Sequence, residues 1–254
     1  MVQMQDQAKI SRIKHQKPTH TVLALPLHVL DDYPQWLSDR IQQNAGAHVV
    51  TLNAEMAMQA EQDKALAGVI QSADLVVPDG AGVVLYLRLR GQSIQRCPGI
   101  ELAEAVIRAA STQEQSASLF FFGGAPGVAQ TAVQNWQKKL PTMAIAGIQH
   151  GFVKPEEQQA FCETLKTAQP AVIFVGLGVP RQEFWIAKHR HLCPNAIWMG
   201  VGGSLDIWAG SKERAPKWLR ENSLEWTYRL YKEPWRWRRM LALPKFMWRA
   251  LWDR

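Results

Sequence analysis

The sequence predicts an α/β fold: a Rossmann-like, mostly parallel sheet with helices on both faces, followed by a basic C-terminal helical appendage. Short apolar runs alternate along the chain with helical patterns of about ten residues or more, which is typical of right-handed strand–helix–strand crossovers. Several of the apolar runs end in glycine-rich turns. Tryptophan and the excess positive charge, in contrast, are concentrated after residue 210.

The first half of the predicted core follows this alternation. Residues 1–19 are polar and lack the apolar segment of a secretory signal, so we expect a disordered N-terminal arm. Asp31-Asp32 before Tyr33 and Pro98-Gly99 at the beginning of the helix Gly99–Ser111 are helix start signals. The predicted elements are the strand His20–Leu30, the helix Tyr33–Asn44, the strand His48–Thr51, the helix Ala54–Ser72, the strand Leu75–Val77 and the helices Ala81–Arg90 and Gly99–Ser111.

The second half repeats the pattern up to residue 210, where the predicted core (20–210) ends. Its apolar runs are rich in Phe, Val and Ile and are bounded by Gly and Pro, which favours buried parallel strands. The predicted elements are the strand Ser118–Phe122, the helix Gly127–Leu140, the strand Met143–Ile148, the helix Pro155–Ala168, the strand Ala171–Gly176, the helix Arg181–His191 and the strand Ala196–Val201.

Residues 211–254 form the predicted appendage and carry the entire net charge of +7, with 12 Lys/Arg against 5 Asp/Glu. Six of the eleven tryptophans also lie there. A basic, Trp-rich segment is typical of a helical region that meets an anionic membrane surface. Nucleic acid is the competing partner, but no helix-turn-helix, RNA-recognition or zinc-finger pattern is present.

The cysteines and the hydropathy pattern point to a cytoplasmic protein. Cys97, Cys162 and Cys193 are far apart and show no metal-ligand spacing, which favours a reducing compartment. The longest run without charge, Gln115–Gln137, is interrupted by Gly, Pro, Gln and Asn, so no membrane-spanning helix is predicted. Any contact with a membrane is therefore expected to be peripheral.

Asp79 lies at a predicted strand-to-helix switch, Ala73–Val84. In an open α/β sheet, such a switch occupies the carboxyl edge of the sheet, where ligands bind. A carboxylate held there on a tight turn can accept a proton from a substrate. The alternative is that Asp79 only caps the N-terminus of the following helix.

Three glycine-rich turns are predicted at this same edge, within Gly123–Gly127, Gly176–Glu183 and Gly200–Asp206. Backbone amides at such turns can bind phosphate, and the first helical turn after Pro180 adds polar side chains that can reach a diphosphate or a sugar hydroxyl. The alternatives are ordinary tight turns and an ordinary helix start. The predicted nucleotide-binding residues are Gly124, Gly176, Gly178, Arg181, Gly202 and Gly203, with Gln182 beside them.

Metal and cofactor motifs are missing from the sequence. There is no D-x-D, no H-E-x-x-H, and no ligand pattern among the seven histidines. The G-x-G-x-x-G fingerprint of a nicotinamide site is also absent, and no G-x-S-x-G elbow supports acyl transfer. We therefore expect no cofactor and metal-independent catalysis.

Seven ordered motifs resemble those of the WecG/TagA/CpsF glycosyltransferase family over roughly residues 48 to 245. Departures from the family pattern are mild, for example Arg181 for the usual Lys and Glu101 for the usual Asp. The motifs are Thr51-Leu52-Asn53, Pro78-Asp79-Gly80-x-Gly82-Val83-Val84, Arg96-Cys97-Pro98-Gly99-Ile100-Glu101-Leu102, Gly176-Leu177-Gly178-x-Pro180-Arg181-Gln182-Glu183, Gly200-Val201-Gly202-Gly203-Ser204-x-Asp206, Arg214-Ala215-Pro216 and Glu225-Trp226-x-Tyr228-Arg229-Leu230.

The resemblance implies the transfer of a hexosyl group, in the best-known members of the family N-acetylmannosamine, from a UDP-sugar to a polyprenyl-diphosphate-linked saccharide at the inner face of the plasma membrane. It implies an inverting reaction with Asp79 as the general base. Thr51 and Asn53 then belong to the acceptor and donor pocket, and Gln182 to the catalytic set. Appendage arginines are expected to complete the active site: Arg229, Arg236 and Arg239.

Other functions stay open at this stage. Transfer of glucose or a related sugar is compatible with the same motifs. A basic nucleic-acid-binding protein and an NAD-dependent oxidoreductase are the alternatives from other classes, although we expect no nucleic-acid partner. The sequence also leaves a homo-oligomer open.

Overall fold

A hairpin and a six-stranded parallel sheet form the β-structure of the computed structural model, which describes residues 20–112, 117–222, 224–237 and 241–252. The sheet order is β4–β3–β8–β7–β5–β6, and all neighbouring strands are parallel. The strands are β1 (His20–Val22) and β2 (Leu25–Leu27) of the hairpin, then β3 (Ala47–Leu52), β4 (Leu75–Pro78), β5 (Leu119–Gly123), β6 (Ile145–Gln149), β7 (Val172–Gly176) and β8 (Ile197–Gly200).

Helices connect the strands and follow them to the C-terminus. Two short 3-10 helices lie at Arg190–Leu192 and Pro234–Arg236. The α-helices are α1 (Tyr33–Gln42), α2 (Ala54–Gln62), α3 (Lys64–Gln71), α4 (Ala81–Leu89), α5 (Gly99–Thr112), α6 (Val128–Lys139), α7 (Pro155–Ala168), α8 (Arg181–His189), α9 (Ser204–Trp208), α10 (Lys217–Glu221), α11 (Glu225–Lys232) and α12 (Ala242–Trp252).

Both faces of the sheet are covered, as the sequence predicts. Side chains alternate along a strand. Val172 and Phe174 of β7 therefore pack in the layer of α1, α5, α6 and α9, while Ile173 and Val175 pack with α7 and α8. At the β3–β4 end, the second face is covered by α2, α3, α4 and α12. The continuous apolar runs of the strands follow from this two-sided burial, and the α/β prediction is confirmed.

The strand predicted over His20–Leu30 is wrong in one respect, because the chain turns back on itself within it. β1 and β2 pair antiparallel, and the turn residues Leu23 and Ala24 both have positive φ, at 48° and 62°. Hairpin turns of this kind usually carry Asn-Gly or Asp-Gly. Leu-Ala gives no such indication, so the pattern of apolar residues alone predicted one strand. The predicted arm, 1–19, lies outside the described residues.

The single helix predicted over Ala54–Ser72 is also wrong, because it is divided at Asp63. The Asp63 carboxylate accepts hydrogen bonds from the amides of Ala65 and Leu66, at 2.9 and 3.2 Å, and so caps α3. Asp is among the strongest N-cap residues. The apolar periodicity continues across the break, which conceals it. The other predicted elements of the core are found with ends that differ by a few residues.

The last helix shares the core of the sheet domain. Phe246 of α12 is fully buried, with its ring 5.8 Å from that of Tyr86 on α4, and Ala250 one turn later is buried as well. The intervening Trp248 and the later Trp252 are 64% and 68% exposed. One face of α12 therefore belongs to the core while the opposite face carries tryptophan.

None of the helices described is long and apolar enough to cross a membrane. The domain boundary at residue 210 stays a prediction.

We predict that Phe246→Ala lowers the free energy of unfolding by about 3–5 kcal/mol, because a buried aromatic side chain is lost and a cavity is left. Trp248→Ala is the matched control on the same helix and should change it by about 0.5 kcal/mol or less, as exposed substitutions do. Urea denaturation measures both. Equal effects of the two changes would contradict the packing of α12 described above.

Candidate active site

A cavity of about 970 Å³ opens at the carboxyl ends of the adjacent strands β4, β3 and β8. Its volume is at the upper end of the roughly 300–1,000 Å³ typical of small-molecule sites. From β3 the chain continues to β4 at one edge of the sheet, whereas the strands β5 to β8 lie on the opposite side of β3. The strand order therefore reverses at β3, and open α/β sheets bind ligands at such a switch point. The lining includes Thr51, Asn53, Asp79, Gly99, Gln182, Gly202, Gly203, Lys212, Glu213, Tyr228, Lys232 and Trp235.

Asp79 is held on its turn by three hydrogen bonds. The amides of Asp79 and Gly80 donate to the Leu52 carbonyl, at 3.0 and 3.3 Å, and the Asp79 carboxylate accepts from the Gly99 amide at 3.0 Å. Gly99 is the first residue of α5, whose N-terminus favours negative charge. The N-cap of α4 is Gly80, without a side-chain bond. The N-cap position that the alternative interpretation gave to Asp79 is therefore occupied by Gly80.

Thr51 and Asn53 lie beside Asp79 at the end of β3. The Asn53 side chain caps α2, its oxygen accepting from the Met56 amide at 3.0 Å, so its NH₂ group is the part that can donate to a ligand. Thr51 packs closely on Gly99: a Cβ at Gly99 would lie 2.8 Å from Thr51 Cγ2. Only glycine allows this approach. The structure thus brings together three of the four predicted catalytic residues.

Gln182, the fourth, reaches the cavity from the first turn of α8 although it is only 2% exposed. Its side-chain oxygen accepts from the Gly202 amide at 3.0 Å. Gly202 and Gly203 follow β8 and line the cavity, as predicted. The link between Gln182 and Gly202 shows that the second and third glycine-rich segments meet at this site.

Four other predicted residues do not line the cavity. Gly124 lies at the end of β5, where its amide donates to the Gly176 carbonyl at 3.2 Å. Gly176 packs closely against Leu205, Gly178 lies outside the lining, and Arg181 is exposed. The strands β5 and β7 lie farther from β4 than β8 does, and the segment after β7 reaches the cavity through Val179 and Gln182 instead. Phosphate binding at these four residues stays a prediction that the cavity does not support.

The appendage closes one side of the cavity. Two reciprocal ion pairs connect the segment after α9 with the end of α11: Lys212 with Glu233 and Lys232 with Glu213, each at 3.1 Å. The hydrogen bond from Lys232 lowers the pKa of Glu213, and the same bond raises the pKa of Lys232. Sequence reasoning missed both lysines, because only the fold places them at the cavity.

Ion pairs also connect the appendage to α5 and to the segment that precedes this helix. Arg96 bonds Glu225 at 3.2 Å, and Arg214 bonds Glu101 at 2.6 Å, with Arg220 at 3.6 Å from the same carboxylate. These pairs join motifs that lie more than a hundred residues apart in the chain. The side chains of Arg229 and Arg236 lie outside what the structure describes, as does all of Arg239, so their predicted roles stay predictions.

Cys97 also lies near the cavity, but its chemistry is that of a neutral thiol. Burial, with the nearby carboxylates of Asp79 and Glu101, raises the pKa of Cys97 to about 12. A nucleophilic cysteine needs a lowered pKa. Among the described residues, no group of three or more His, Cys, Asp or Glu side chains could hold a metal ion.

Known proteins resemble the chain over most of its length. The model of the glycosyl transferase WecG/TagA/CpsF family matches residues 8–254. A Bacillus spizizenii protein is 38% identical over 208 residues, or 82% of this chain and 79% of the relative. A Bacillus subtilis protein is 36% identical over 207 residues, 81% and 79%. A Staphylococcus aureus protein is 34% identical over 209 residues, 82% and 81%. Each is named N-acetylglucosaminyldiphosphoundecaprenol N-acetyl-beta-D-mannosaminyltransferase.

We predict that iodoacetamide at pH 8 alkylates Cys97 of the folded protein about a thousandfold more slowly than an ordinary thiol. The sign follows from the raised pKa: the thiol stays protonated until the pH approaches 12, so little thiolate is present. Peptide mapping by mass spectrometry measures the rate at each cysteine. Protein unfolded in urea is the control and should react at the ordinary rate. Rapid alkylation of Cys97 in the folded state would contradict the prediction.

Proposed function

Since this chain belongs to the WecG/TagA/CpsF family of glycosyl transferases, we propose that it transfers N-acetylmannosamine from a UDP-sugar to N-acetylglucosamine carried on a polyprenyl diphosphate, in cell-envelope polysaccharide synthesis. The observation that carries the proposal is the Asp79 carboxylate, bound to the Gly99 amide in a large cavity at three strand ends. The names of the relatives favour neither glucose transfer nor a nucleic-acid-binding function.

In the proposed mechanism, Asp79 is the general base. An acceptor hydroxyl attacks the anomeric carbon of the donor sugar while its proton moves to the Asp79 carboxylate. The new carbon–oxygen bond forms as the bond to the UDP oxygen breaks, and UDP leaves with the electron pair. A single displacement of this kind inverts the anomeric centre. The Gly99 amide fixes the direction of the carboxylate, and the NH₂ of Asn53 is placed to donate to a substrate oxygen.

Cationic side chains are proposed to stabilise the departing diphosphate. Lys212 and Lys232 line the cavity, and their ion pairs with Glu233 and Glu213 hold them at its edge. Arg229, Arg236 and Arg239 are assigned to the same task by the family resemblance. Charge-assisted hydrogen bonds to phosphate oxygens are among the stronger polar contacts. With such groups available, we propose that transfer proceeds without a metal ion.

We also propose that the appendage docks on an anionic membrane surface, where the lipid-linked acceptor resides. Support comes from the outer face of α12, where Trp248 and Trp252 are exposed with ring centroids 5.9 Å apart, and from Trp235 before it. Exposed tryptophans prefer the membrane interface, and Lys245 on the same helix can approach anionic headgroups. In this proposal the protein is peripheral, on the cytoplasmic leaflet.

We predict that Asp79→Asn lowers the transfer rate by roughly 10² to 10⁴ while UDP binding stays within about twofold. The amide oxygen can still accept from the Gly99 amide, so the turn is kept, but the side chain no longer accepts a proton. Mass analysis of the product from UDP-N-acetylmannosamine and a polyprenyl-diphosphate N-acetylglucosamine analogue measures transfer, and calorimetry measures UDP binding. Turnover at the wild-type rate would exclude Asp79 as the base, and loss of folding would instead favour a structural role.

We predict that the double change Trp248→Ala with Trp252→Ala weakens binding to anionic vesicles but leaves transfer to a soluble acceptor unchanged. The two tryptophans lie on the exposed face of α12, away from its buried residues. Co-sedimentation with phosphatidylglycerol vesicles measures binding. Point changes are preferable to truncation, because removal of α12 would uncover the apolar pocket of Phe246. Unchanged co-sedimentation would contradict the membrane proposal for this face.

A further inference from the structure

Three buried polar side chains, connected by hydrogen bonds, lie beneath the cavity. His48 of β3 contacts Glu183 of α8 through Nε2 and Oε2, at 2.9 Å, and the other oxygen of Glu183 accepts from Gln182 Nε2 at 2.9 Å. Gln182 Oε1 then accepts from the Gly202 amide. His48 and Glu183 are 1% and 0% exposed. Burying a carboxylate is costly unless donors satisfy it, and here each oxygen has one.

Two of these side chains, Gln182 and Glu183, also pack closely against Gly200 of β8. A Cβ at Gly200 would lie 2.3 Å from Gln182 Nε2 and 2.6 Å from Glu183 Oε1. Only glycine on β8 leaves room for the two side chains. The mechanism proposed above uses neither His48 nor Glu183, so their precise placement calls for another explanation.

The hydrogen bonds determine which end of the Gln182 amide faces each partner. The Gly202 amide can only donate, so it requires the oxygen of Gln182; the Glu183 carboxylate can only accept, so it requires the nitrogen. If the Gln182 amide were flipped, both contacts would become repulsive. One hydrogen of Nε2 is directed at Glu183, and the second is the polar group that Gln182 can offer to the cavity it lines.

We propose that Glu183, held by His48, is a positioning residue that makes Gln182 present an N–H donor to the cavity. The group it meets is an acceptor oxygen of the sugar nucleotide, on the diphosphate or on the sugar. This inference rests on the proposed function, because it assigns the cavity to a UDP-sugar. Glu183 acts through Gln182 and does not touch the substrate. His48, on the strand that carries Thr51 and leads to Asn53, couples the orientation of the amide to the position of β3.

An exchange of the two side chains separates positioning from simple structural support. In the double variant Gln182→Glu with Glu183→Gln, the new carboxylate can accept from Gly202, and the new amide can donate to it and accept from His48. The buried charge, the volume and the number of hydrogen bonds are retained. The group that faces the cavity, however, changes from a donor to an acceptor. If Glu183 only supports the structure, the exchange variant should behave like the wild type. If Glu183 orients the Gln182 amide, the exchange variant should bind the UDP-sugar more weakly.

We expect the exchange variant to keep a urea midpoint close to wild type and to show a KM for the UDP-sugar raised by roughly 10- to 100-fold, the effect of losing one charge-assisted hydrogen bond. In the single variant Glu183→Gln, the new side chain no longer fixes the orientation of the Gln182 amide, and KM should rise by a smaller factor. Calorimetric affinity for the UDP-sugar is a second readout that does not require turnover. Wild-type KM and affinity in the stable exchange variant would overturn the proposal.

A pair of changes at His48 decides the matter if the exchange variant does not fold. His48→Gln places an amide donor near the position of Nε2 and should retain KM within about threefold, while His48→Phe removes the donor and should raise it by about tenfold or more. Equal KM values for these two variants would overturn the proposal. The wild-type protein is assayed first. If it neither binds nor transfers any UDP-sugar, the proposed function fails; if it does both and the variants behave like it, only this inference fails.

Discussion

The pairing of β3 between β4 and β8 is the constraint on which the site depends. Parallel pairing places Leu52 beside Pro78 and Val49 beside Met199, so the three strands end at the same edge of the sheet. The segments that follow the three strands are therefore neighbours, and Asn53, Asp79 and the turn after Gly200 line the same cavity. Close approach is possible because glycine lies where the backbone of one segment meets the side chains of another, at Gly99 and Gly200.

Electrostatic contacts then attach the C-terminal segment to this edge. The carboxylate of Glu101, in the first turn of α5, receives Arg214 and Arg220, while Arg96 reaches Glu225 of α11. Surface ion pairs contribute little individually, but here two arginines share the Glu101 carboxylate, and the less exposed Arg96–Glu225 pair joins α11 to the segment just before α5. The same helix, α5, provides the Gly99 amide that holds Asp79. The placement of Asp79 and the attachment of the appendage therefore share one element, α5.

Much of this architecture could be predicted from the sequence, because strand and helix periodicity are local properties. The parallel sheet, the turn at Asp79 and the glycines after β8 followed from patterns within a few residues. The Leu23–Ala24 turn could not be predicted, since its residues are not those that favour positive φ. The His48–Glu183 contact joins residues 135 positions apart, and the cavity lysines depend on how α11 folds back. Contacts of this range are fixed by the tertiary packing and leave no local pattern.

The packing of α12 has a consequence for how the site would face a membrane. Phe246 and Ala250 hold the helix against α2 and α4, so its outer tryptophans cannot rotate without loss of buried contacts. α2 begins directly after Asn53, whose side chain caps it at the edge of the cavity. A surface bound by Trp248 and Trp252 would therefore be held at a fixed angle to the cavity. An acceptor that is confined to a lipid surface would benefit from such a rigid connection, because its saccharide would enter the cavity in a restricted orientation.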